Sequence, residues 1–223
     1  MLSLLRAMQQ ADSAFPSGSF AFSHGIEGLA GLGTRFDVRS LAGVFEAVLR
    51  HRWAGCDRVA LFRGWHCAAD SVGLLRIDQA VEAATLPETL RQCSRGNGAA
   101  LLSAHARIGT PSATALRGAL SRGDILGHLA PLQGVLWRAL GLGAEEAILV
   151  SGYTTLTALA SAAVRLGCIG ALAAQEAIGR VLPLVETLAS EPVAEDAPLC
   201  GTLPWLDVAC ARHGASPLRL FSS

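Results

Sequence analysis

The chain contains no lysine. All 18 of its basic residues are arginine, and that absence removes whole classes of chemistry. A Walker A loop needs its lysine to reach the nucleotide phosphates, so nucleotide binding of that kind is excluded. A Schiff base to pyridoxal phosphate needs a lysine amine and is excluded with it. No G-x-S-x-G, H-E-x-x-H or C-x-x-C occurs, which removes the nucleophile elbow, the zincin helix and the thioredoxin-type redox pair. Charge is scarce as well: 16% of residues are charged and 51% hydrophobic, with 18 acidic residues against 18 basic ones. No basic stripe or acidic tail stands out, so neither nucleic acid nor a membrane is expected as a partner. So little charge cannot cover the surface of 223 residues, and some apolar surface is expected to meet another protein.

The length suits one domain with a substantial core. The six cysteines (Cys56, Cys67, Cys93, Cys168, Cys200 and Cys210) are scattered in apolar settings. With no signal peptide read at the N-terminus, reduced buried thiols in a cytosolic protein are expected rather than a disulfide framework. From Ala147 to Val164 no residue is charged, and only Arg165 interrupts the run before Glu176. A membrane anchor over 147–175 is therefore an alternative. The serines and threonines inside the run favour a central buried helix of a soluble bundle.

Helical periodicity dominates, and no stretch alternates for long with period two. In "DVRSLAGVFEAVLRHRW", Asp37 can cap a helix, and Val38, Leu41, Phe45, Val48 and Leu49 fall on one face. Asp57 is a second cap candidate. Pro87 and Glu88 suit a first helical turn, and "RGNG", Arg95–Gly98, is expected to bend or break the helix that follows. Further helices are predicted at Ser112–Ser121, His128–Leu140, Ala144–Val164, Ile169–Ala189 and Leu203–His213. The predicted fold is all-α: a single compact helical domain over residues 1–223, with roughly ten helices. Residues 190–204 read as a loop or linker and 214–223 as a C-terminal tail, either frayed or docked.

The residues that could carry chemistry are few. His51, Cys56, His66 and Cys67 cluster in sequence, but their spacing matches no zinc motif, so ordinary packing is expected and no metal site. His24 and Glu27 are three apart and could share a helix face, able to hold a metal or to act as the proton-transfer pair of a small all-α hydrolase. The competing reading makes Ser23 the N-cap and Glu27 a first-turn acid. Gly25, Gly28 and Gly31 form a stripe suited to close helix packing; it is not a phosphate-binding G-x-G-x-x-G. Arg165, alone in an uncharged stretch, is a buried ion pair or a surface anchor.

The anomalous stretch is "PSGSFAFSHGIEG", Pro16–Gly28, rich in glycine, serine and aromatics in a chain where Ala and Leu are the commonest residues. Leu5–Glu27, "LRAMQQADSAFPSGSFAFSHGIE", is similar to the opening "LMQLADSxxPxGxFxxSxGLE" of the urease accessory protein UreF family. Further resemblances follow in order: "GHLAPLQGVL" around His128, then "SAAVRLG" at Ser161–Gly167 with Gln175 eight residues beyond. The last is a C-terminal pattern of Pro204, Asp207, Arg212–His213 and Arg219–Leu220–Phe221. Departures from the family pattern occur at Ser19, at Cys168 and Ala171, and at Leu132–Gln133–Gly134. The resemblance implies an all-α homodimeric cytoplasmic protein that is not an enzyme, with no cofactor of its own. It would serve nickel insertion by binding the scaffold protein UreD (also called UreH) and the GTPase UreG, the complex docking on apo-urease. A divergent relative with other partners is the alternative. On this reading the aromatic turn is an interface element. The expected partner-binding residues are Phe15, Pro16, Gly18, Phe20, Phe22, Ser23, His24, Glu27, Arg165, Gln175, Arg219, Leu220 and Phe221.

Overall fold

Residues 1–18, 22–67, 69–194 and 196–214 are described by the computed structural model, except for the side chains of His213 and Gly214. The described residues form an all-α fold with no strand. The helices are α1 (Leu2–Ala11), α2 (Ile26–Gly31), α3 (Val38–Val48), α4 (Arg58–His66), α5 (Ser71–Ala84), α6 (Glu88–Arg107), α7 (Ala113–Arg122), α8 (Leu129–Ala139), α9 (Ala144–Arg165), α10 (Ala171–Ser190) and α11 (Pro204–Gly214). A π-helical segment, Leu49–Asp57, joins α3 to α4 without a break.

The predicted cap at Asp37 forms. Ser40 N donates to the Asp37 carboxylate at 2.7 Å, and Asp37 N donates back to the Ser40 hydroxyl at 2.8 Å, a reciprocal box that starts α3. Phe45, Leu41 and Val48 then face the core, fully or nearly fully buried. Asp57 caps nothing, contrary to expectation. Its backbone is helical and its side chain makes no cap hydrogen bond, because the chain runs on from the π-helical segment into α4. The cap that was not foreseen is Asp70, whose carboxylate accepts from Val72 N at 3.2 Å and Gly73 N at 3.0 Å and starts α5.

The centre of the fold is α8 against α4 on one side and α6 on the other. Every residue from Ala130 to Trp137 is buried. Gly64 and Gly134 allow this closeness: a Cβ on Gly134 would run into Leu61 O and Trp65 N, and one on Gly64 into Pro131 O. The same logic overturns the expected break at "RGNG". Helix α6 runs unbroken through it, with Asn97 and Gly98 buried. Gly98 is there because the backbone of Gly127 and His128 lies directly on it.

Helix α9 is long and apolar enough to cross a membrane by length and composition. Here α10, α1 and α8 pack along it, and Ala147, Leu156, Ala160 and Ala163 are buried, as a central bundle helix requires. The proline-rich segment after α10 is strapped down by arginines. Buried Arg58 donates to Leu188 O at 2.5 Å and Glu191 O at 2.8 Å, and Arg63 donates to Ala197 O at 2.7 Å. All six cysteines are free thiols. Burial pushes Cys56, Cys93 and Cys210 up to about 12. Cys200, expected in an apolar setting, is exposed, although its backbone N–H is anchored on Gly55 O at 2.9 Å.

Candidate functional site

The stretch after α1 folds by tight local turns. Ala14 N donates to the Asp12 carboxylate at 2.8 Å, Phe15 N to Asp12 O at 3.0 Å and Ser17 N to Phe15 O at 2.7 Å. Pro16 is left exposed at the tip. Gly18 has φ 81° and lies against Ala100 of α6. Phe15 tilts over the His105 ring with centroids 5.3 Å apart, and Phe22 lies against Gly96. Both rings are therefore half-buried on α6 of their own chain.

His24 follows at φ 51° and Gly25 at φ 92°. Two consecutive left-handed residues reverse the chain into α2, and a non-glycine residue in that region carries backbone strain. Gly25, not Ser23, holds the N-cap position; Ser23 contributes its carbonyl, which accepts from Ile26 N at 3.0 Å. His24 thus lies outside the helix, and the shared helix face proposed for His24 and Glu27 does not exist. Gly25 and Gly28 do pack closely, against Leu206 and Ala209 of α11, whereas Gly31 faces open space.

Beneath this loop the interior is polar in an ordered way. Gln10 Oε1 accepts from Trp137 Nε1 at 3.0 Å and from His105 Nε2 at 3.1 Å. His105 Nδ1 is then left to accept the Thr110 hydroxyl at 2.9 Å. Its imidazole is neutral, with the pKa lowered from 6.5 to about 4 by burial. Asp78, on α5, accepts three backbone N–H groups: Leu126 and Gly127 at 2.8 Å and His128 at 3.0 Å. His128 Nε2 meets Glu82 at 2.7 Å and its Nδ1 meets the Ser94 hydroxyl at 3.0 Å. This Ser94–His128–Glu82 chain has the order of a hydrolytic relay, yet its members serve the architecture. The Ser94 hydroxyl also accepts Leu129 N at 3.3 Å, and Glu82 is shared with Arg91 at 3.3 Å and Arg95 at 2.5 Å. Cys93, 3.9 Å from His24 Nδ1, is a protonated thiol and no nucleophile. His51 and His66 are exposed while Cys56 is buried, and among the described residues no cluster of three or more metal-ligating side chains occurs.

Arg165 and Gln175 are both exposed, at the end of α9 and near the start of α10. Phe20, Arg219, Leu220 and Phe221 lie outside the described residues, as does Ser19. One surface was not anticipated. Helix α1 turns Ala7 and Gln10 inward and leaves Leu4 58%, Leu5 61% and Met8 62% exposed. Its signal is present in the sequence, since Leu4, Leu5 and Met8 recur at helical spacing beside Arg6 and Gln9.

The family model for UreF matches residues 36–182, more than half of the chain. The chain belongs to the UreF family. The urease accessory protein UreF of Kocuria rhizophila is 30% identical over 229 residues, covering 99% of this chain and 97% of that protein. The urease accessory protein UreF of Trichodesmium erythraeum is 28% identical over 229 residues, covering 98% and 96%. That of Yersinia pseudotuberculosis serotype IB is 28% identical over 225 residues, covering 99% and 98%.

The stretches that carry the UreF resemblance divide by what they do. In "GHLAPLQGVL", Gly127 and His128 give their N–H groups to Asp78, and Gly134 seats α8 on α4; this stretch builds the interior. In "SAAVRLG", Ala162 and Ala163 are buried while Arg165 points outward, and Gly167, at φ 69°, ends α9. The departure at Cys168 sits on the turn between α9 and α10, Ala171 is the first residue of α10, and those at Leu132 and Gln133 are buried.

Proposed function

We propose that this chain is a non-catalytic assembly factor for urease maturation. In this reading it works in the cytoplasm as a homodimer. It binds the scaffold protein UreD/UreH and the nickel-carrying GTPase UreG, and the complex docks on apo-urease, where GTP hydrolysis by UreG is tied to nickel release. The observation that carries the proposal is the near full-length similarity to urease accessory proteins UreF. Two physical features support it. The chain has no lysine for a P-loop of its own. It also exposes apolar side chains that a free monomer has no use for: Leu4, Leu5 and Met8 on α1, Trp205 and Val208 on α11, and Leu172 on α10. The outward row of α1 is the face assigned to a partner subunit.

The test is reconstitution. Apo-urease, UreD/UreH, UreG, nickel and GTP are combined with and without the purified chain. Urease activity that rises only when the chain is present supports the role; activation that proceeds equally without it overturns the role. The C-terminal residues give a second test. Leu218, Leu220 and Phe221 surround Arg219 in a segment too short to form a core. Deleting Leu218–Ser223 leaves the thermal midpoint almost unchanged and abolishes scaffold binding. A truncated chain that captures UreD/UreH at wild-type affinity contradicts this assignment.

A further inference from the structure

Where α6, α8, α9 and the π-helical segment converge, they line a partly open cavity of about 120 Å³. By the same measure a single water needs roughly 10–15 Å³, so there is room for a small organic molecule. Apolar side chains such as Leu101 and Leu159 share its wall with Gln10, Asn97, Thr155 and the Arg52–Asp57 pair.

Two buried side chains on that wall have hydrogen-bonding capacity left over. Gln10 is 5% exposed; its Oε1 already serves Trp137 and His105, and its Nε2 has no partner. The amide cannot be turned over, because the indole can only donate. Asn97 is 1% exposed; its Nδ2 faces Cys93 Sγ at 3.7 Å and its Oδ1 has no partner. Buried polar atoms without partners are rare and call for an explanation. Thr155 gives its proton to Ser151 O at 2.9 Å, which leaves its hydroxyl oxygen free to accept.

The charge on the wall is balanced. Arg52 Nε lies 3.9 Å from Asp57 Oδ2, so this pair offers neither a net positive charge to an anion nor a net negative charge to a cation; His24 is the other ionisable nitrogen base on the wall. The unused capacity is itself neutral: a donor at Gln10 and acceptors at Asn97 and Thr155. We infer that this cavity is a binding site for a small, uncharged amide-class molecule. Its carbonyl oxygen would accept from Gln10 Nε2, and its N–H groups would donate to Asn97 Oδ1 and the Thr155 hydroxyl. Such a site is independent of any role in urease maturation.

Acetamide is the probe. It is titrated into the full-length chain while the indole N–H of Trp137 and the side-chain amide of Gln10 are followed by proton–nitrogen NMR. The expected result is a saturable shift of both signals with a dissociation constant of roughly millimolar order, the range open to so few atoms. Acetate and methylammonium at equal concentration do not displace it. Asn97→Leu weakens binding at least tenfold. Ala158→Leu, which fills the cavity from α9 and removes no polar group, does the same, and it decides the matter if Asn97→Leu fails to fold. A linear, unsaturable shift spread over surface amides overturns the assignment. So does acetate binding as tightly as acetamide, or acetamide binding that Ala158→Leu leaves unchanged.

Discussion

Helices α8 and α1 are both rich in large apolar residues, yet one is swallowed and the other is not. Every residue of α8 from Ala130 to Trp137 is buried, whereas in α1 only Ala7 and Gln10 are. The difference lies in the neighbours. Helix α8 is enclosed by α4 and α6, and Gly64 and Gly134 let the α4 backbone come into contact. Helix α1 rests mainly on α9, fixed by the Ser3 hydroxyl on Glu146 at 3.0 Å, by Arg6 on Leu140 O and by Gln10 in the interior. Hydrophobicity sets what a helix could bury; the number of its faces that find a neighbour sets what it does bury. The unburied remainder of α1 is surface available to a partner.

That contrast can be broken most severely at α8. Gly134→Val places side-chain carbons against backbone atoms of α4, which cannot step aside as a flexible side chain would. A loss of about 3 kcal/mol or more is expected, read as a lowered urea midpoint or failure to fold. A near-neutral Gly134→Val shows that the close approach of α4 and α8 does not hold the core. Next in size is Asp78→Ala. It leaves the N–H groups of Leu126, Gly127 and His128 without their carboxylate, and a loss of about 2–3 kcal/mol is expected in the same assay. Asp78→Asn, which keeps one acceptor oxygen, should lose less than Asp78→Ala; equal losses would point to packing instead.

The attachment of α1 to the interior is sensitive to acid. His105 titrates at about 4 when folded, against 6.5 for the ordinary side chain. The unfolded chain therefore takes up the proton first, and stability falls as pH drops through the window from about 6.5 to about 4. Between pH 7 and pH 5 the loss amounts to roughly 2 kcal/mol. Burial also holds the His128 pKa below its usual value, which adds in the same direction. Proton NMR of the His105 ring checks the cause: it should not titrate above pH 5, and a ring that protonates near 6.5 removes the explanation.

How much of this was legible in the sequence depends on how local the cause was. The Asp37 cap, the all-α class and the helices α7 to α11 come from neighbours a few residues apart, and short-range patterns carry them. Asp57 looked like a cap because an acidic residue before an apolar run resembles one. Whether the preceding helix has already ended is not written in that window. "RGNG" read as a breaker because glycine weakens an isolated helix. It stands inside α6 because residues about 30 positions on, Gly127 and His128, press against it. Asp78 was invisible for the same reason, since its three donors are nearly 50 residues away. In the aromatic stretch, Phe15 and Phe22 rest on α6 of their own chain, a contact with residues about 75–90 positions away that the local pattern does not carry. The cavity draws its polar lining from α1, the loop after it, α6, α8, α9 and the π-helical segment, so no single stretch could announce it.

The smallest expected change in stability belongs to the most informative variant. Leu5→Asp combined with Met8→Asp alters two side chains already exposed on α1. Unfolding free energy should move by less than about 0.5 kcal/mol per site, as surface substitutions do. Binding should not be spared. Titration calorimetry with UreD/UreH, together with sedimentation equilibrium of the chain alone, measures scaffold affinity and self-association on the same preparation. At least one of the two should weaken tenfold or more, equivalent to about 1.4 kcal/mol, while the thermal midpoint stays in place. Wild-type strength in both, with the fold intact, would contradict the assignment of the α1 face to a partner.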